Sequence, residues 1–267
     1  MIVDAHHHLW DPARRDYPWM VPALAEPFGL EDLRRVTRAA GVDRTVLVQT
    51  VSDLAETQEF LDVAAASGGL VAGVVGWVDH ARDVPGQVDG LRHRELLKGV
   101  RHQVEDEPDP DWLLRPEVVR ALGAVGDLVV DLLVRWDQLP AAAELARRCE
   151  GTSFVLDHGA KPPLGSGDLP AWERGVTALA SRPNVRCKVS GLFTLAHQEH
   201  LGPAVDHVLT AFGADRLLFG TDWPVSTLAH DYPTVVERTR SLLDPLSPDE
   251  RAAVLAGNAV RTYHLAP

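Results

Sequence analysis

The sequence predicts an α/β fold, specifically a single (β/α)₈ barrel of the TIM type. Eight short β-branched runs alternate with amphipathic stretches along the 267 residues, about 33 residues for each strand–helix unit. Several runs, such as residues 45–48 and 217–219, are nearly continuously apolar, as expected for parallel strands that are buried on both faces. Because the count is eight, a closed barrel is favoured over an open sheet.

The elements follow one another in a regular order. The predicted strands are residues 2–4, 44–49, 70–78, 97–101, 128–134, 153–157, 185–189 and 217–220. Apolar residues at spacings of three and four predict helices between them over residues 30–40, 54–66, 172–179 and 205–212. Ser247 followed by Pro248 is typical of an N-cap with proline at the first helical position, which predicts the start of a last helix.

The composition predicts one globular domain over residues 1–267. Hydrophobic residues make up 45% of the chain and charged residues 24%, which are ordinary values for a globular protein. With 26 basic and 38 acidic residues the net charge is −12, so we expect no nucleic-acid partner, because phosphate binding needs a basic face. The sequence shows no signal peptide and no apolar run long enough to span a membrane, so we expect a cytoplasmic protein without a membrane partner. Homo-oligomerisation stays open.

The strongest functional signal is the segment DAHHH, residues 4–8, at the end of the first strand. Side chains alternate along an extended backbone, so His6 and His8 point the same way and His7 points the opposite way. Two imidazoles on one face of a strand end can hold a metal ion or polarise a carbonyl oxygen. The alternatives are surface histidines or an expression tag, but a triplet that completes a strand is unlike a tag.

Two later strands end in residues of matching chemistry. His158 follows the apolar run 153–157, and Asp222 follows the run 217–220. Strand eight lies beside strand one in a closed barrel, so we expect Asp222 next to His6 and His8, where it could take a proton from water or complete a metal site. The alternatives are a hydrogen-bonded core histidine at 158 and a helix N-cap at 222.

Other residues near strand ends are candidates for binding a substrate. Arg101 could clamp a carboxylate or a pair of hydroxyls, and Lys161 could bind a substrate oxygen or form a structural ion pair. Long loops over residues 10–28 and 103–116, the second of them acidic, are where barrel enzymes place specificity. The candidates are Trp10, Gln49, Trp77, Arg101, His102, Lys161 and Trp223. The weaker ones are Gln49, Trp77, Arg101 and His102, together with Asp131 and Ser190, and for each of these structural pairing across the barrel is the equal alternative. The other histidines are expected to be surface or packing residues: His80, His93, His197, His200, His207, His230 and His264.

In these segments the chain resembles the amidohydrolase superfamily, and within it the amidohydrolase-2-type lactonases, which include hydrolases of sugar-acid lactones and of pyrone dicarboxylate lactone. The matching segments are DAHHHLWDP (4–12), KGVRH (98–102), LDHGAKP (156–162), CKVSGL (187–192) and FGTDWPV (219–225). They span nearly the whole chain in order. The resemblance implies that His6, His8 and His158 surround a substrate carbonyl and that Asp222 is the general base.

The metal content stays open at this point. Many members of the superfamily carry a binuclear centre with a bridging lysine or acid on strand four and histidines on strands five and six. Here strand four ends in Arg101 and His102, and only strand six supplies a histidine, so a binuclear centre is not expected. A single divalent ion such as zinc on His6, His8 and Asp222, or no metal at all, both remain open.

The expected function is the hydrolysis of a small lactone, an aldono-lactone (sugar-acid lactone) in particular. Asp222 would deprotonate the attacking water, and the three histidines, or a metal ion that they hold, would stabilise the oxyanion. Two alternatives stay open. One is a mononuclear zinc decarboxylase of the same superfamily, and the other is a non-catalytic barrel that binds a sugar acid. Patterns for other chemistries, such as G-x-S-x-G, H-E-x-x-H and G-x-G-x-x-G, do not occur in the sequence.

Overall fold

The computed structural model describes residues 1–164, 168–194 and 201–266. It contains one eight-stranded parallel sheet in the order β1 to β8, as predicted. The strands are β1 Val3–His7, β2 Arg44–Val48, β3 Val71–Gly76, β4 Leu97–Gln103, β5 Val129–Leu133, β6 Phe154–Leu156, β7 Val185–Val189 and β8 Leu217–Phe219.

Helices follow the strands around the outside of the sheet. They are α1 Leu30–Ala40, α2 Leu54–Ala66, α3 Val84–Asp89, α4 Pro116–Leu122, α5 Leu139–Arg148, α6 Leu169–Ala180, α7 Leu201–Phe212, α8 Tyr232–Leu242, α9 Pro248–Ala252 and α10 Asn258–Thr262. The predicted helix ends at Gly41 and Ser247 are confirmed. Gly41 adopts a left-handed conformation with φ of 66°, and the side chain of Ser247 accepts a hydrogen bond from the backbone N–H of Glu250. No helix among the described residues is long and apolar enough to cross a membrane.

The end of β1 pairs with the segment that follows β8, which brings the two edges of the sheet together. The backbone N–H of Asp222 donates to the carbonyl of His6 at 2.8 Å, and the N–H of His8 donates to the carbonyl of Trp223 at 2.7 Å. His7 and Trp223 form a parallel bridge. These bonds align Asp222 with the histidine segment at the same end of the barrel.

β1 is longer than predicted and irregular. It runs through the histidines to His7, and its register against β2 shifts between Asp4 and His7. Strict alternation would place Asp4 on the same face as His6. Instead the Asp4 carboxylate accepts a hydrogen bond from the hydroxyl of Tyr232 on α8 at 2.9 Å, whereas His6 faces Arg101 inside the barrel. Such bulges often re-aim side chains next to active sites, and this one turns His6 inward.

The amino-terminal half of the barrel interior is apolar. Buried aliphatic side chains from six of the strands form a cluster with the C-terminal segment: Val3, Ala5, Val46, Val48, Val75, Val129, Val155, Leu218, Ala256, Ala259, Tyr263 and Leu265. The guanidinium of Arg44, at the start of β2, donates to the carbonyl of Ala266, so the C-terminal segment lies against the amino-terminal ends of the strands. The polar groups of the interior therefore lie towards the carboxyl ends.

Candidate active site

A cavity of about 270 Å³ opens at the carboxyl ends of the strands. Small-molecule sites usually measure roughly 300–1,000 Å³, so this cavity suits a small ligand. Seven of the eight strand ends contribute to its lining: His8, Trp19, Thr50, Arg101, Gln103, Glu105, Asp106, Leu133, His158, Lys161, Gly191, Thr194, Asp222 and Val225.

The structure brings the four predicted catalytic residues together: His8, His158 and Asp222 line the floor of this cavity, and the fully buried His6 contacts them from beneath. Nε2 of His6 lies 3.2 Å from Nε2 of His8. Oδ1 of Asp222 lies 3.3 Å from Nε2 of His8, 3.6 Å from Nε2 of His6 and 3.9 Å from Nε2 of His158. All four side chains are buried. Residues separated by more than 200 positions in the sequence thus converge on one point.

Hydrogen bonds fix the orientation of the imidazoles. Nδ1 of His8 lies 2.8 Å from the carbonyl of Val48, and because a carbonyl only accepts, this nitrogen carries the hydrogen and Nε2 keeps a free lone pair. Nδ1 of His158 bonds with the hydroxyl of Ser190 at 2.9 Å. The weaker candidate Ser190 therefore orients His158 and lies behind it.

Unusual backbone conformations present the residues of the floor. Residues 158–161 have φ values of 53°, 57°, 59° and 50°, which makes one turn of left-handed helix. The N–H of Lys161 donates to the carbonyl of His158 at 2.9 Å, and the indole of Trp172 donates to the carbonyl of Gly159 at 2.7 Å. Asp222 has φ of 59° as well. Left-handed residues other than glycine cost free energy and concentrate at functional sites, where the surrounding structure holds them.

Gly191 allows the close approach of two of these side chains. A Cβ atom at this position would lie 2.4 Å from Nδ1 of His158 and 3.0 Å from Oδ2 of Asp222, and φ of 63° is itself unfavourable for other residues. No larger residue could occupy this position without displacing the floor of the cavity.

Beneath the floor lies a second cluster of charged groups that are fully buried. Asp157 accepts from Arg101 at 2.9 Å and lies 3.0 Å from Nζ of Lys188. Lys188 also pairs with Asp131, whose other oxygen accepts from the hydroxyl of Tyr263 at 2.8 Å. The sequence analysis placed Asp131 among the weaker site candidates but did not single out Lys188 or Asp157. The available signal was a lysine inside the otherwise buried strand β7.

The electrostatics of the floor favour one negative charge among neutral imidazoles. Burial lowers the pKa values of His6 and His158, so both are neutral near pH 7. Burial alone would raise the pKa of Asp222, but the adjacent imidazoles of His158, His8 and His6 outweigh it and bring this pKa below its usual value. Asp222 is therefore ionised at neutral pH.

The same donor atoms fit one divalent metal ion. Zinc–ligand bonds of about 2.0–2.2 Å in a tetrahedral site separate the donor atoms by about 3.3 Å, close to the spacings among His6, His8 and Asp222. A second group of potential ligands, His6, Asp157 and His158, lies nearby, but Asp157 is already paired with two cations. The arrangement fits a single ion better than two.

The predicted substrate-binding residues separate into two groups. Arg101 and Lys161 line the cavity, whereas Gln49 lies behind Arg101, whose guanidinium donates to its side-chain oxygen at 3.0 Å. The indole of Trp77 donates to Nδ1 of His102 at 3.0 Å, and Nε2 of His102 then donates to Glu107 at 2.8 Å. Both ring nitrogens of His102 are thus engaged within the protein, which ties the acidic loop to the barrel.

Trp10 and Trp223 are also absent from the described cavity lining, in contrast to the prediction. The indole of Trp10 donates to the carbonyls of Leu24 and Glu26, which holds the loop after β1, and Trp223 packs edge-on against Phe28. Both are buried. Trp19, from the same loop, lines the cavity instead. The expected surface or packing roles of His197 and His200 fall outside the described residues.

A family model described as amidohydrolase matches residues 3–265. The chain belongs to the amidohydrolase family. This amidohydrolase is 40% identical to an L-fucono-1,5-lactonase of Burkholderia ambifaria, over 98% of this chain and 95% of that protein. It is 34% identical to an L-fucono-1,5-lactonase of Burkholderia multivorans, over 98% of this chain and 96% of that protein.

A solved structure of a relative agrees with the fold and with the metal fit. An amidohydrolase from Burkholderia multivorans with bound zinc superposes on this chain with a TM-score of 0.94 at 33% identity, and 100% of each chain is covered. Together with the lactonase relatives, this likeness identifies the protein as a hydrolase of the amidohydrolase family and confirms the predicted barrel.

Proposed function

We propose that this amidohydrolase opens the lactone ring of a small sugar acid by hydrolysis. The observation that carries the proposal is the ionised Asp222 carboxylate among three imidazoles at the floor of a small cavity. L-fucono-1,5-lactonases with 40% and 34% identity over nearly the full chain support the same substrate class.

In the proposed reaction, Asp222 accepts a proton as a water oxygen attacks the lactone carbonyl carbon. The bond between this carbon and the ring oxygen then breaks, and the leaving alkoxide takes the proton from Asp222. The product is an open-chain hydroxy acid, which ionises at neutral pH and releases one proton for each turnover. General base catalysis of this kind contributes about 10²–10⁴-fold to a rate.

The imidazoles have different roles in this mechanism. Nδ1 of His8 donates to the carbonyl of Val48, so Nε2 of His8 can only offer a lone pair and suits a metal ion. His158 can accept the Ser190 hydroxyl hydrogen at Nδ1, which leaves an Nε2–H that donates to the developing oxyanion. A divalent ion held by His6, His8 and Asp222 would supply Lewis-acid polarisation of the carbonyl.

A pH-indicator assay on a panel of aldono-1,5- and aldono-1,4-lactones, with and without chelator, tests the function. We expect proton release with at least one aldono-lactone, and its loss and recovery on chelation and zinc addition would establish metal dependence. Binding of the lactones without any proton release would favour the non-catalytic barrel. Carbon dioxide release from an aromatic carboxylate, with no lactone opened, would favour the decarboxylase.

His158→Asn tests the proposed oxyanion donor. Removing one such donor in other acyl-transfer sites lowers kcat by about 10²–10³-fold, and we expect a loss of this size here. His93→Asn is the matched control, because the His93 side chain is 47% exposed and lies away from the cavity. A His158→Asn variant with the full rate would remove this residue from the mechanism.

A further inference from the structure

The two sides of the cavity differ in chemistry. Trp19 comes from the loop after β1, and its indole donates to the carbonyl of Thr50 after β2 at 2.8 Å. Glu105 follows β4 and Lys161 follows β6. Because β5 lies across the barrel from β1, an aromatic surface on one side faces a pair of charged groups on the other.

The charged pair is tied to the catalytic floor. Nζ of Lys161 pairs with the Glu105 carboxylate, and Lys161 ends the left-handed turn that begins at His158. The loop that carries Glu105 is held by Gln138, whose side-chain amide donates to the carbonyl of Val104 at 2.9 Å. The two side chains are only partly exposed, 18% for Glu105 and 35% for Lys161, and both reach the cavity.

We propose that the Glu105–Lys161 pair selects the substrate class of the lactonase by binding ring hydroxyls and disfavouring lactones that carry a carboxylate. This inference rests on the proposed function. A hydroxyl can donate to Glu105 and accept from Lys161 at once, so a polyhydroxylated ring satisfies both members of the pair.

A substrate carboxylate meets a different environment. Glu105 and Asp106 bring negative charge to this side of the lining, while Lys161 is paired with Glu105. Arg101, the other cation of the lining, is engaged by the buried Asp157. An added carboxylate would therefore find no free cation among the described lining residues, and repulsion of like charges would oppose its binding. The same repulsion favours release of the carboxylate product.

Three probes of matched chemistry test the pair in the intact enzyme. An aldono-1,4-lactone and the aldaro-1,4-lactone of the same sugar differ only in a CH₂OH group and a carboxylate, and δ-valerolactone keeps the ester but lacks hydroxyls. The measurement is kcat/KM for the parent, Glu105→Gln and Lys161→Met. Asp109→Asn is the control, because Asp109 lies in the same acidic loop, pairs with Arg115 and does not line the cavity.

We expect each cavity variant to lower kcat/KM for the aldono-lactone, relative to that for δ-valerolactone, by about 10–100-fold, the range for a hydrogen bond to a charged group. Glu105→Gln should also raise the ratio of aldaro- to aldono-lactone hydrolysis, and Asp109→Asn should change neither ratio. Equal losses on all three lactones, or no change on any, would overturn the inference. A parent enzyme that hydrolyses none of them would overturn the proposed function itself, and this inference with it.

Discussion

Two buried polar clusters lie one above the other in the barrel, and they differ in how their charges are balanced. In the lower cluster, Lys188 lies between the carboxylates of Asp131 and Asp157, and Arg101 pairs with Asp157. In the upper cluster, one carboxylate, Asp222, faces three imidazoles whose nitrogen atoms have lone pairs or hydrogens to offer to a ligand.

The comparison distinguishes the lower cluster, which belongs to the scaffold of the barrel, from the upper cluster, which forms the candidate site. Buried charges are tolerated only when they are paired and hydrogen-bonded, and the lower cluster meets this condition within the protein. The upper cluster borders the cavity, so a metal ion, water or substrate can complete it. His6 joins the two clusters, because its Nδ1 lies 3.2 Å from Nζ of Lys188 and its Nε2 faces the cavity floor.

The largest predicted effect is on stability and concerns the lower cluster. Lys188→Met leaves two buried carboxylates without their shared cation, and breaking a buried pair in this way costs about 3–5 kcal/mol. Lys161→Met, which removes a partly exposed lysine, should cost at most about 1 kcal/mol. Urea unfolding of both variants measures the difference. Equal losses of stability would contradict the scaffold role of Lys188.

The next effect should fall on activity and concerns the upper cluster. Gly191→Ala places a Cβ 2.4 Å from Nδ1 of His158, and displacing a catalytic group by about 1 Å can cost 10²-fold in rate. Gly126→Ala is the matched control, since Gly126 also has a left-handed φ of 67° but no atom within 4 Å of the added Cβ. Similar kinetics for both variants would show that backbone strain, and not the close approach, is what matters.

The smallest predicted effect is on the pH dependence of stability and concerns a buried histidine outside both clusters. Burial lowers the pKa of His80 from 6.5 to about 3, so this side chain stabilises the fold fully above pH 6.5 and loses its contribution as the pH falls towards 3. Between pH 6.5 and 5 the loss is about 2 kcal/mol, at about 1.4 kcal/mol for each pH unit.

The His80→Asn variant, compared with the parent, tests this expected loss of stability between pH 6.5 and 5. Urea unfolding at pH 7.5, 6.5 and 5 should show a fall in the free energy of unfolding that is about 2 kcal/mol smaller in the variant between pH 6.5 and 5. An identical pH dependence in the two proteins would contradict this role of His80.

Much of this architecture could be predicted from local patterns. The eight strands follow from apolar runs, and the meeting of His6, His8, His158 and Asp222 follows from parallel strands whose carboxyl ends lie at one end of the barrel. The bulge in β1 could not be predicted, because it depends on how β1 packs against β2 and α8.

Side-chain direction beyond the strand ends was harder to predict. Periodicity stops where a strand stops, so the sequence could not distinguish Trp10, which holds its own loop, from Trp19, which lines the cavity. Lys188 and Asp157 were missed because their importance depends on partners from other strands.

Replacement of Asp222 by asparagine is the most direct test of the central claim, because it keeps the size of the side chain and removes its ability to take a proton. With the aldono-lactone found in the panel, we predict that kcat falls by about 10²–10⁴-fold while the urea midpoint stays close to that of the parent. Hydrolysis within a few-fold of the parent rate would contradict the account.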